Sequence, residues 1–162
     1  MQEMLRSSNN MNKGILAAII SSMVVFLDYL TKSIIVARVS QFESIKILPF
    51  LQIVHVENEG AAFGLFRALG NNVFIIISFI AIFVIIIYLL KLRKGLEFFS
   101  LSLILGGAAG NLIGRIKVGK VIDYIDIYAG KWHWPAFNIA DSALTIGIIL
   151  FLWSNLRCRK NM

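Results

Sequence analysis

Four apolar stretches divide the chain. The first runs from about Gly14 to Val36 and is interrupted by Asp28 and Lys32. The second, Val73 to Leu90, reads VFIIISFIAIFVIIIYLL and carries no charge. The third runs from about Phe98 to Ile113 and is rich in small residues: Gly106, Gly107, Ala108, Ala109 and Gly110. The fourth runs from about Ala136 to Leu156. Each is near the length that crosses a hydrocarbon core of roughly 30 Å at about 1.5 Å per residue. The third is short, so it uses its flanks or a thinned bilayer. The runs are continuous rather than alternating, which excludes membrane strands. The pattern predicts a mainly α membrane protein, a single domain over 1–162, with transmembrane helices at about 14–36, 73–90, 98–113 and 136–156. The longer connections, about 37–72 and 114–135, have their own pattern. Leu51, Ile53, His55 and Glu57 alternate with Gln52, Val54 and Val56, which predicts a strand before the turn-prone Asn58-Glu59-Gly60. Lys120 to Tyr128 alternates too, so a small β-structure is expected on the membrane surface.

Composition supports lipid as the solvent. Of 162 residues, 58% are hydrophobic, above the about 45–50% of soluble domains. The net charge is +7. A basic chain can bind nucleic acid, but here the cations stand beside the apolar runs, which indicates orientation instead. Arg6 and Lys13 precede the first run; Lys91, Arg93 and Lys94 fill the link between the second and third; Arg157, Arg159 and Lys160 close the chain. All three groups fall on one side of a four-pass protein. Both termini are therefore expected in the cytoplasm, and the two longer connections outside. Lys13 before Gly14–Leu27 has the polarity of a signal peptide, but no small-x-small site follows, so a retained helix is expected. The lone cysteine, Cys158, permits neither an intrachain disulfide nor a cysteine-rich metal site.

Ionisable residues at membrane depth call for a function or a partner. Asp28 and Lys32 are four apart on one helical face, which fits a mutually satisfied ion pair. Asp123 and Asp141, eighteen apart, both fall at the outer membrane face. Two carboxyls in contact share one proton, and such a pair can activate water against a carbonyl and protonate the departing amine. On residues alone, Asp126 competes with Asp123 as the partner of Asp141, and a solvated acidic loop is the stronger reading. Asn58, Asn111, Arg115 and Asn138 fall at the same face and can bond a peptide backbone or orient a carboxylate. Asn138 also fits a helix N-cap, and Arg115 a charge reaching the interface. His55 and His133 are read as isolated surface residues. The chain has no HExxH, no serine in a GxSxG setting and no GxGD. A transporter or channel would need polar groups near the midplane, and the second helix has none.

The chain resembles the bacterial lipoprotein signal peptidases, or signal peptidase II. Five segments carry the likeness: Asp28-Tyr-Leu-Thr-Lys32, Asn58-Glu-Gly-Ala-Ala-Phe-Gly64, Gly106-Gly-Ala-Ala-Gly-Asn-Leu-Ile-Gly-Arg115, Val121-Ile-Asp-Tyr124 and Pro135-Ala-Phe-Asn-Ile-Ala-Asp141. The resemblance implies four transmembrane helices with an outer β-cradle and a short surface helix, in the bacterial inner membrane. It implies an aspartic endopeptidase that cuts lipid-modified prolipoproteins just before the diacylglyceryl cysteine. Asp123 and Asp141 match the catalytic pair; Asn58, Asn111, Arg115 and Asn138 match polar positions around it. Gly60 to Gly64 matches a stretch that helps enclose substrate. Implied partners are the prolipoprotein, membrane lipids and the inhibitor globomycin, with no nucleic acid; a monomer without metal or organic cofactor is expected. One position departs: the family has Asp before the arginine, and this chain has Gly114. Loss of that charge would loosen Arg115, so an impaired or non-catalytic prolipoprotein-binding homologue is the alternative, and Gly114→Asp is expected to raise turnover.

Overall fold

The computed structural model describes residues 2–60, 70–92 and 95–159, with backbone alone at 2–12, 158 and 159. The elements run α1 (Gln2–Arg38), β1 (Ser44–Leu48), β2 (Leu51–Asn58), α2 (Gly70–Lys91), α3 (Leu96–Val118), β3 (Val121–Ala129), β4 (Trp132–His133) and α4 (Ile139–Arg159). Each helix contains a span long and apolar enough to cross a membrane. The expected mainly α architecture with a small antiparallel sheet is present. A short surface helix is not among the described elements, and residues 61–69, which include most of the Gly60–Gly64 stretch, lie outside the described residues. The side chain of Cys158 lies outside them too.

α2 is apolar on every side and mostly exposed, an arrangement that only lipid tolerates. α3 is the central helix: it packs on α1, α2 and α4. Its small residues permit this. A Cβ on Gly107 would lie 2.5 Å from the Ala140 carbonyl oxygen, and one on Gly110 would lie 2.9 Å from Asp28 Oδ2. Close helix approach through small residues is the usual means of association in lipid, where apolar contact gives no net drive.

Two boundaries near the site differ from the sequence expectation, each for a local reason. α3 passes through Gly114 and Arg115 to Val118 instead of stopping at Ile113. Lys117 in its last turn reaches the interface, and Gly119 (φ 79°) ends it, donating its N–H to the Arg115 carbonyl at 3.0 Å. Asp123 consequently stands just past the helix, on the strand expected from the alternation over Lys120–Tyr128. α4 starts at Ile139 because Asn138 caps it.

The sheet has the order β1-β2-β3-β4, all antiparallel. β2 and β3 coincide closely with the alternating segments. β1 and β4 had no comparable signal: β1 is short and fully exposed, and β4 has two residues. Tyr124 ties the sheet to α1 through its hydroxyl, which donates to Thr31 Oγ1 at 2.7 Å. Ile35 of α1 and Val39 just past its end pack against Ile122 and Tyr124 beneath it.

Candidate active site

The end of the bundle beneath the sheet carries a cavity of about 600 Å3. Asn58, Gly60, Asn111, Arg115, Asp123 and Asp141 all line it. Each arrives by a different local device.

Asp141 sits in the first turn of α4. Asn138 Oδ1 accepts the Asp141 N–H at 2.9 Å, and Asp141 Oδ2 accepts the Asn138 N–H at 3.2 Å. This reciprocal pair is a capping box, here built with Asn and Asp. The Ala140 N–H, another amide without a helical partner, donates to Asp28 Oδ1 at 3.0 Å. The carboxylate of Asp141 is thus fixed by the helix end it helps to form.

Asp123 lies on β3, opposite Val56 of β2. Asn58 is the diagonal neighbour of Asp123, since it pairs with Val121. Its Nδ2 donates to Asp123 Oδ2 at 2.9 Å, and Asn138 Nδ2 donates to Asp123 Oδ1 at 2.6 Å. Asn138 is fully buried and serves both aspartates, one through its amide nitrogen and one through its oxygen. Capping and carboxylate orientation are one arrangement, not alternatives.

Asn111 holds the other side. Its Nδ2 donates to Asp141 Oδ1 at 2.8 Å, and its Oδ1 accepts from Lys32 Nζ at 2.9 Å. Lys32 also donates to Asp28 Oδ2 at 2.7 Å, so Asp28 and Lys32 form a buried ion pair. A lysine can only donate, so it fixes which end of the Asn111 amide faces Asp141.

Arg115 is buried and does not extend to solvent. Its Nη2 donates to the Gly60 carbonyl at 2.8 Å, its Nη1 meets Asn71 Oδ1 at 3.4 Å, and its guanidinium lies 4.6 Å from the Phe74 ring centroid. Asn71 Nδ2 returns a bond to the Arg115 carbonyl at 3.1 Å. Gly60 is itself fixed, its N–H donating to Asn58 Oδ1 at 3.0 Å. None of these contacts involves Gly114, so the arginine is held without a side chain at that position. Asn71 and Phe74 were not singled out from the sequence; a polar pair at a helix start carries no signal until the partner across the cavity is known. The Glu57–Lys120 ion pair, which clips the ends of β2 and β3, was missed for the same reason.

Burial, and next the neighbouring charge of Asp141, push the Asp123 carboxyl from its ordinary 3.8 up to about 6. Bonds from Asn58 and Asn138 act in the opposite direction. The Asp123 carboxyl therefore holds its proton to a higher pH than a free carboxyl does.

Asp126 is elsewhere. It accepts from Gln52 Nε2 at 2.6 Å and faces His133 Nδ1 at 2.8 Å, and it does not line the cavity. Neither histidine is isolated: His133 also stacks on Tyr128, and His55 Nδ1 lies 2.8 Å from the Val39 carbonyl oxygen. Among the described residues no group of three His, Cys, Asp or Glu side chains converges on a metal position.

Fold and site define a multi-pass membrane protein with two carboxyls facing one cavity at a helix-bundle end. The sequence model of the family described as signal peptidase (SPase) II matches residues 20–157. The chain is 43% identical over 136 residues to the lipoprotein signal peptidase of Thermodesulfovibrio yellowstonii, covering 83% of this chain and 90% of that one. It is 36% identical over 154 residues to that of Anaplasma phagocytophilum, covering 94% and 99%. A solved bacterial membrane enzyme superposes with a TM-score of 0.84 at 34% identity, over 90% of each chain. A second gives 0.79 at 35% identity, over 87% of this chain and 92% of that one. The chain belongs to the signal peptidase II family and is a peptidase.

Proposed function

We propose that this peptidase removes the signal peptide from diacylglyceryl-modified prolipoproteins by cutting before the lipidated cysteine, with a water activated by Asp123 and Asp141. The carrying observation is that these two carboxyls, held by a shared Asn138, line one cavity at the end of the bundle. The pair carries one proton. Asp123, whose carboxyl is raised to about 6, keeps it, and Asp141 as carboxylate draws the proton from water as the water attacks the scissile carbonyl. Asp123 gives its proton to the carbonyl oxygen; as the resulting diol collapses it takes a hydroxyl proton back, while Asp141 passes the proton drawn from water to the departing amine, so the pair ends with the one proton it began with. The titration steps belong to the pair, not to either residue.

The remaining roles follow from contacts. Asn111 and Asn138 orient the pair. Asn58 and Arg115 fix Gly60 on the wall, so substrate meets a preset edge of backbone. Asp28 and Lys32 are a structural ion pair. The cations near the chain ends and in the α2–α3 link support cytoplasmic termini, with the aspartates at the outer face of the bacterial inner membrane. There a lipidated cysteine holds its scissile bond at the depth of the pair. The chain works as a single domain and as a monomer, and a globomycin-type cyclic peptide would fill the same cavity.

Purified protein incubated with a lipidated prolipoprotein tests the reading. Cleavage before the cysteine, blocked by globomycin and lost in Asp123→Asn and Asp141→Asn, is the expected result. A wild type as inert as both variants would favour the non-catalytic, prolipoprotein-binding alternative attached to Gly114.

A further inference from the structure

A second cavity, of about 360 Å3, lies between α1 and α3 and shares no lining residue with the first. The two open on different faces of α3: Asn111 and Arg115 face the aspartates, whereas Gly110, Gly114 and Lys117 face α1. Its walls are chiefly apolar, from residues such as Val25, Val36, Ile113 and Ile122. Gly114 keeps it open. Among the described residues, a Cβ at this position has only the Lys120 carbonyl oxygen within 4 Å, at 3.3 Å, so a longer side chain there would project into the space.

The charges around this cavity do not cancel. Asp28 and Lys32 neutralise one another. Lys120 is answered by Glu57, which does not line the cavity. Lys117 is exposed, and among the described residues no carboxylate pairs with it; its ammonium rests 4.6 Å from the centroid of the Tyr29 ring. An apolar slot inside a membrane-spanning pair of helices, with an uncompensated cation in the last turn of one of them, matches an amphiphile that carries a negative head and a hydrocarbon tail.

We propose that the α1–α3 cleft is a binding site for an acidic phospholipid, its acyl chain against the apolar walls and its phosphate at Lys117. The site stands apart from the peptidase chemistry and rests only on the membrane placement of the helices. A soluble anion would use the lysines but not the walls. A neutral lipid would use the walls but not the excess charge. Because Lys32 lines this cavity and also bonds Asn111, the occupant lies directly behind the support of Asp141.

Native mass spectrometry of the full chain tests this, after release from nanodiscs containing equal phosphatidylglycerol and phosphatidylcholine with identical acyl chains. The retained lipid is expected to favour phosphatidylglycerol by about fivefold, as one lysine near a charged headgroup provides. Lys117→Gln should abolish the preference while leaving total retention nearly unchanged. Gly114→Leu, checked for folding by circular dichroism, should lower retention of both lipids. Millimolar inorganic phosphate should displace neither. Equal retention of the two lipids by the wild type, an unchanged preference in Lys117→Gln, or displacement by phosphate alone would overturn the proposal.

Discussion

Asp123 and Asp126 stand three residues apart on one strand and are nearly equally closed to solvent, at 2% and 7% exposure. Three is an odd spacing, so their side chains leave opposite faces of β3. Asp126 turns to its own sheet, where its cross-strand partner Gln52 and the neighbouring His133 satisfy it. Asp123 turns to the bundle, where its donors come from β2 and from the cap of α4, and where a second carboxyl waits. Burial alone therefore does not separate the proposed catalytic residue from its neighbour. What marks it is that several elements converge on it while part of it still faces a cavity.

Substitution should separate the two residues most sharply in rate. Asp123→Asn is expected to slow cleavage by about 10^3-fold or more, since a positioned proton-transfer group is lost. Asp126→Asn should leave the rate within about threefold. The corresponding thermal melts should run the other way. Asp123 is raised from 3.8 to about 6, so the folded protein holds a proton that the unfolded chain has released. Stability therefore falls as pH rises from about 4 to about 6, by at most about 3 kcal/mol, since each unit is worth about 1.4 kcal/mol. Asp123→Asn removes that slope and should melt higher than wild type at pH 7.5. Asp126→Asn leaves its buried partner Gln52 poorly matched and should cost about 1–3 kcal/mol. A stabilised Asp126→Asn, or a destabilised Asp123→Asn at that pH, would erase the distinction.

The same raised carboxyl predicts the shape of the rate profile. Cleavage efficiency should fall as pH rises past about 6, because the free enzyme then loses the proton that Asp123 donates. A flat profile between pH 5 and 8 would contradict the assignment of the proton. Asn138→Ala should cost about 1–2 kcal/mol for the lost cap and slow cleavage as well, because both aspartates lose a partner. The smallest effect is expected at Gly114. Arg115 is already held by Gly60, Asn71 and Phe74, so Gly114→Asp should change turnover by less than about twofold, within the range of a substitution outside the core network. A large gain would restore the sequence-based expectation that this position supports the arginine.

Much of this organisation was legible along the chain. Continuous apolar runs can only be helices in lipid, and the alternation over Leu51–Glu57 and Lys120–Tyr128 can only fit a sheet with two unlike faces. The five motif segments singled out the polar residues that line or support the cavity. Periodicity alone could not choose between Asp123 and Asp126, because the choice depends on which face of β3 meets the bundle. Nor could it end α3, since Gly119 acts through a left-handed backbone that residue spacing does not reveal. Asn71 and the Glu57–Lys120 pair were invisible because each acquires meaning only from a partner distant in sequence. Gly114 gained weight in the sequence from the charge it lacks. In the structure its chief consequence is the open cleft on the α1 face.

The central claim is that Asp123 and Asp141 act as one unit. Single-turnover cleavage of a lipidated prolipoprotein by wild type, Asp123→Asn, Asp141→Asn and the double variant tests it directly. Each single variant is expected to lose nearly the whole enhancement, and the double variant to be no slower than either, as for residues that function only together. Losses that multiply in the double variant, or near-wild-type cleavage by either single variant, would contradict it.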